Sequence, residues 1–194
     1  MLKVGITGGI GSGKSVVTKV FSTLGIPILD ADALAKTLME QDFELRKKLT
    51  EVFGNELFEA GKLNRKLLAS IVFDDKVALG KLNAIVHPAV RLAGRQWMEQ
   101  QNGAYSIKEA ALFFESGSNV DMDFIIGVSA PLSLRLKRAM QRDKAEEETI
   151  LKRMAQQMNE DEKMSRCDAI IINDGEHSLI EQVVTLHHQF LNKK

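Results

Sequence analysis

Residues 6–15 read Ile6-Thr7-Gly8-Gly9-Ile10-Gly11-Ser12-Gly13-Lys14-Ser15. From Gly8 onward this is a glycine, four residues, then Gly-Lys-Ser, the pattern of a phosphate-binding loop. Leu2, Val4 and Ile6 before it alternate as in a strand, and Val16, Val17, Val20, Phe21 and Leu24 after it recur at helical spacing. A strand, a glycine loop and a helix N-terminus form the setting in which that pattern cradles phosphates. The glycines let backbone N–H groups turn onto phosphate oxygens, and the helix start adds positive potential. Lys14 is placed to neutralise the outer phosphates, and the Ser15 hydroxyl suits Mg²⁺.

Outward from the loop, Gly25 and Pro27 stop the helix, and Ile26 to Leu29 reads as a short buried strand. That is a βαβ unit and implies a parallel sheet. From residue 31 to about 101 the pattern is helical and no strand is evident: Leu34 and Leu38, then Leu45, Leu49, Val52 and Phe53 up to Gly54, then Leu79, Leu82, Ile85 and Val86. So long a stretch exceeds an ordinary crossover and reads as a helical insert. Sheet character returns at residues 105–114 and 124–128. Pro131 opens a charged helical stretch reaching about Arg166, residues 169–172 form a last strand, and Ser178 caps a closing helix. The expected class is α/β. Residues 1–32, 103–134 and 167–194 form the nucleotide-binding core, 33–102 the insert and 135–166 a lid.

The 194 residues are 44% hydrophobic, with 26 basic and 26 acidic side chains and one cysteine. A chain of this length buries about 70% of its unfolded surface and needs no disulfide. Zero net charge argues against a general nucleic-acid binder, and the lone Cys167 suits the cytoplasm. No apolar run approaches a membrane span and no signal peptide is visible at Met1-Leu2-Lys3-Val4, so neither a membrane nor a nucleic-acid partner is expected.

Two rivals to a triphosphate site fail on spacing. A dinucleotide fingerprint needs a third glycine where Lys14 and Val16 stand, and a GTP switch needs an Asn-Lys-x-Asp run that is absent. Asp30-Ala31-Asp32 follows the second strand, at the sheet edge where ligands of open α/β folds bind. In an extended segment both carboxylates face one way, toward an acceptor hydroxyl, although an Asp there also serves as a helix cap. Arg135, Arg138 and Arg142 share one helical stripe, read either as a solvated face paired with Glu146, Glu147 and Glu148 or as lid cations for a transferring phosphoryl group. Glu115 closes the expected third strand, facing the cleft or simply structural. His87 lies within the insert, and none of His177, His187 and His188 makes a metal spacing with Cys167.

With these residues in place the chain resembles the dephospho-coenzyme A kinase family. The resemblance rests on residues 6–15, Asp30-Ala31-Asp32, Gly61-Lys62-Leu63-Asn64-Arg65, Leu82 with His87-Pro88, Leu112-Phe113-Phe114-Glu115, Arg138 with Arg142-Asp143, Arg153 with Gln157, and Ile172-Asn173. It covers nearly the whole length. It implies a P-loop kinase core with a five-stranded parallel sheet, a helical substrate-binding insert and a helical lid. It further implies ATP with Mg²⁺ as co-substrate and dephospho-coenzyme A as acceptor, phosphorylated on its ribose 3′-hydroxyl, in a monomer or small homo-oligomer.

Carried over by residue, the resemblance implies catalytic roles for Asp32 as general base, Lys14 and Arg142. It implies ATP binding at Gly8, Gly11, Ser12, Gly13, Lys14, Ser15, Val16 and Asn173, with Ser15 on the metal. Thr7, Arg65, His87 and Glu115 fall on the acceptor side, and Arg138 joins Arg142 in the lid. The chain departs from the family pattern at Val16, Ala111 and Arg135. Two other readings stay open: a different small-molecule kinase acting on a nucleoside or nucleotide, and a nucleotide-gated binding protein without an acceptor.

Overall fold

The alternation of Leu2, Val4 and Ile6 forms β1 (Leu2–Thr7), and the apolar stripe that follows forms α1 (Lys14–Thr23). Then come β2 (Ile28–Asp30), α2 (Ala31–Gln41), α3 (Phe43–Phe53), β3 (Phe58–Glu59), β4 (Lys62–Leu63), α4 (Arg65–Val72) and α5 (Lys76–Glu99). The chain continues through β5 (Tyr105–Glu109), β6 (Phe124–Ser129), α6 (Leu132–Asp143), α7 (Glu147–Met154), α8 (Glu160–Ser165), β7 (Ala169–Ile172) and α9 (Leu179–Asn192). This computed structural model describes residues 1–73 and 75–193. Among them no helix is long and apolar enough to cross a membrane.

Two compact units result, one of residues 1–30 with 98–194 and one of residues 31–97. In the first, five parallel strands run in the order β2-β5-β1-β6-β7. Strand order reverses about β1, so the glycine loop leaves the sheet at the switch point where ligands of such folds bind. One face of the sheet is covered by α1 and α9: Val4, Ile6, Ile107, Ile126, Val128 and Ile171 meet Val17, Phe21, Val183 and Phe190 in a fully buried cluster. Burying each such side chain stabilises the fold by about 1.5–3 kcal/mol, which fixes the strand that carries the loop. Ser178 caps α9 by accepting from the Glu181 N–H.

The second unit is helical but not wholly so. Its α2 packs on α3 and on β4, and Leu45, Leu49, Leu57, Leu63 and Leu68 form its buried side. Asp42 and Asn64 cap α3 and α4 by accepting from Leu45 N–H and Leu67 N–H. The unexpected element is the hairpin of β3 and β4, Phe58 opposite Leu63 and Glu59 opposite Lys62. Two-residue strands are too short to show a period, and the turn between them is marked only by Ala60 and Gly61, both with positive φ.

Two further expectations are corrected. The third strand ends at Glu109, not at residue 114, because 110–117 turn away and bury Phe113. Glu115 therefore sits in a turn beyond the strand. Asp30-Ala31-Asp32 is not an extended segment either: Asp30 ends β2, while Ala31 and Asp32 already belong to the first turn of α2. The extended segment on which both carboxylates were expected to face one way is therefore absent.

Candidate functional site

Gly13 precedes α1 with φ 94°, in the left-handed region, and makes no side-chain cap. The Val16 and Val17 N–H groups donate to the Gly13 carbonyl, and with no side-chain cap at Gly13 the positive end of α1 faces the loop. A side chain at Gly13 is excluded twice over, by that φ and because a Cβ would stand 2.0 Å from the Asn173 Nδ2. Lys14 Nζ folds back onto the loop, donating to the carbonyls of Gly8 and Gly9 at 2.9 and 3.3 Å. Thr7 Oγ1 and Ser12 Oγ are fully buried with no hydrogen-bond partner among the described residues. Buried hydroxyls of that kind cost stability unless a ligand or solvent serves them, which fits a loop built for a polar guest.

Asn173, just beyond β7, braces the loop. Its Nδ2 donates to the Ser12 carbonyl at 2.8 Å. Arg138 in turn donates to the Asn173 carbonyl at 3.1 Å and to its Oδ1 at 3.4 Å. The three arginines of α6 thus do not form one exposed stripe. Arg135 is buried against the loop, Arg138 is tied to Asn173, and only Arg142 at the helix end stands well into solvent, its side chain 60% exposed.

Arg142 grips Asp143 through two bonds, at 2.7 and 3.0 Å, and Arg153 donates to the same carboxylate at 2.6 Å. The bond from Arg142, aided by Arg153, holds the Asp143 carboxyl at about 2 instead of the usual 3.8, and the same bond raises Arg142. A depressed carboxyl lends its pairing to the fold above its usual value and loses it as pH falls through about 2.

Glu115 is held from the segment leading into α8. Its Oε1 accepts from the Met158 N–H at 2.8 Å and pairs with Lys163 Nζ at 3.1 Å. Lys163 is fully buried and also donates to the Ala111 carbonyl at 2.9 Å. Glu115→Ala would strand that ammonium, so a loss of about 3 kcal/mol of stability is expected, read as a lower urea midpoint. A midpoint equal to wild type would show that the pair contributes nothing.

In the helical unit, Arg65 opens α4 and pairs with Glu40 at 2.8 Å, half exposed, while His87 lies half-buried on α5 just before Pro88. Asp32 is exposed in the first turn of α2, where its charge favours the helix N-terminus. Ser15 and Val16 are exposed in the first turn of α1, and no cluster of three metal-binding side chains occurs among the described residues. That donor set suits Mg²⁺, which keeps waters and takes most of its ligands from phosphates, with one hydroxyl from the protein.

A sequence profile of the family described as dephospho-CoA kinase matches residues 2–178. The chain belongs to the dephospho-CoA kinase family. It is 42% identical over 186 residues to a Bacteroides fragilis dephospho-CoA kinase, covering 95% of this chain and 91% of that one. The crystal structure of TT1252 from Thermus thermophilus superposes with a TM-score of 0.86 at 34% identity, over 98% of both chains. A Campylobacter jejuni dephospho-CoA kinase gives 0.69 at 31% identity, over 98% of this chain and 97% of that one. The α/β architecture with its five-stranded parallel sheet is that of a P-loop kinase.

Sequence reasoning overlooked Lys163 and misread Arg135. Buried charges of this sort carry no local signal, since their partners Glu115 and Glu160 are distant in the chain or on another helix. Gln157 appeared only as part of the family resemblance, although its side chain touches the loop directly.

Proposed function

We propose that the protein transfers the γ-phosphoryl group of ATP to the ribose 3′-hydroxyl of dephospho-coenzyme A, giving coenzyme A and ADP. The observation that carries this reading is the loop of residues 8–15, set at the switch point of the sheet with the uncapped N-terminus of α1 behind it. The family match over residues 2–178 supports the choice of acceptor.

The triphosphate lies along the N–H groups of residues 11–16. Lys14 exchanges the carbonyls of Gly8 and Gly9 for phosphate oxygens, and Ser15 supplies the protein ligand for Mg²⁺. The metal ion, when bound, neutralises charge on the outer phosphates. Asp32 orients the 3′-hydroxyl and accepts its proton. The 3′ oxygen bonds to the γ phosphorus as the bond to the β–γ bridging oxygen breaks, and ADP departs with that electron pair. Arg142 moves from Asp143 to the transferring group, where a guanidinium fork matches phosphate oxygens and covers the spreading charge. Residues 135–166 act as a lid that keeps water from the γ-phosphate, with Arg138 holding its base to Asn173. The insert of residues 33–102 grips the acceptor, with Arg65 and His87 on that side together with Thr7.

ADP release measured with dephospho-coenzyme A, nucleoside monophosphates and nucleosides in turn tests the acceptor. Turnover is expected with dephospho-coenzyme A and at least about a hundredfold less with the others, a ratio within reach of a site built around polar contacts. Equal or faster turnover with a nucleoside would give the site to a different kinase activity. ATP binding with no phosphorylated acceptor at all would point to a nucleotide-gated binding protein.

A further inference from the structure

Ile10, in the middle of the loop, is held through both of its peptide groups. Its N–H donates to Gln157 Oε1 at 3.1 Å, and its carbonyl accepts from Arg135 Nε at 3.0 Å. Arg135 Nη1 pairs with Glu160 Oε2 at 3.1 Å, and the arginine side chain is only 8% exposed. A Cβ on Gly9 would stand 2.0 Å from Arg135 Nη2 and 2.5 Å from Glu160 Oε2, so the missing side chain is what lets the ion pair lie directly on the loop. These three groups come from α6, the α7–α8 link and α8. The link is itself anchored, because the neighbouring Met158 N–H is bound by Glu115, which the buried Lys163 also holds.

We propose that Arg135, Glu160 and Gln157 form a clasp that sets the nucleotide loop in its binding shape before ATP arrives, making them positioning residues for ATP affinity. The proposal rests on reading residues 8–15 as the ATP site. With both peptide planes at Ile10 fixed from outside, the turn that residues 11–13 take into α1 is restricted. The entropy of ordering the loop is then lost on folding and not on binding. Only a guanidinium fork serves the Ile10 carbonyl and the Glu160 carboxylate together, and the carboxylate keeps that buried charge paired. Arg138 and Asn173 hold the far end of the loop at the Ser12 carbonyl, so the loop is gripped at two separated points.

Calorimetric binding of Mg²⁺-ATP to the full chain, without any acceptor, tests the clasp in Gln157→Met and Glu160→Gln. Gln157→Met keeps the bulk of the side chain but removes the oxygen that accepts from Ile10. It is expected to raise the ATP Kd about tenfold, the loss of one hydrogen bond that acts only through the loop. Glu160→Gln keeps an acceptor for Arg135 but removes the charge paired with it, so a lower melting midpoint is expected beside a rise in the ATP Kd of about threefold or more. In steady state, kcat and the acceptor KM should stay within about twofold of wild type while the ATP KM rises, the pattern of lost uniform binding.

An unchanged ATP Kd in both variants overturns the clasp. So does a loss shared equally by ATP and acceptor KM together with a lower melting midpoint, which would mark these side chains as supports of the fold. Wild-type protein that fails to bind Mg²⁺-ATP overturns instead the ATP reading of the loop, and the clasp with it.

Discussion

Lys14→Met is expected to lower kcat with dephospho-coenzyme A by about 10²–10³-fold, the usual effect of removing one preorganised charge partner of a reacting group. Methionine keeps the unbranched stem, so packing against the loop survives. What goes is the ammonium, whose partners include the Gly8 and Gly9 carbonyls, acceptors that it can trade for phosphate oxygens. That charge matters most when the β–γ bond is breaking and negative charge builds on the leaving oxygen, so kcat should fall further than ATP affinity. Rapid-quench kinetics of the chemical step would check this. Activity within about threefold of wild type would remove Lys14 from charge stabilisation, since even a single ordinary hydrogen bond to the transition state accounts for more.

Asp32→Asn is expected to cost about 10²-fold or more in kcat, as loss of a general base does. The side chain is exposed in the first turn of α2 and asparagine retains its size, so only the favourable contact of its charge with the helix N-terminus is lost, about 0.3–1 kcal/mol, and the melting midpoint should fall only slightly. Both KM values should stay near wild type, because an amide still hydrogen-bonds a hydroxyl. Near-normal turnover would mean that another group takes the proton.

Much of this fold was legible from period and punctuation. The alternation in β1, the stripe of α1 and the capping Ser178 each depend on neighbours within a few residues, and each lies where the pattern places it. The hairpin of β3 and β4 escaped because two residues cannot display a period, and the third strand was overrun because Phe113 and Phe114 look like strand residues while Phe113 is buried from a turn.

The loop and its helix were equally legible, since glycines, lysine and serine must stand at fixed spacing to do their chemistry. The supporting groups were not. Arg135 has the composition of a solvated lid residue, and only the chain's return through Gln157 and Glu160 turns it into a buried brace. Glu115 likewise acquires its role from Lys163, which lies far along the chain. Such pairings follow from tertiary placement, to which local spacing is blind.

The most direct test is to locate the phosphate in the product. After incubation with ATP, Mg²⁺ and dephospho-coenzyme A, phosphorus–proton correlation NMR of the purified product should show a new phosphomonoester coupled to the ribose H3′, with ADP formed in equal amount. A phosphate coupled to H2′, or ADP accumulating while dephospho-coenzyme A stays unmodified, would contradict the account.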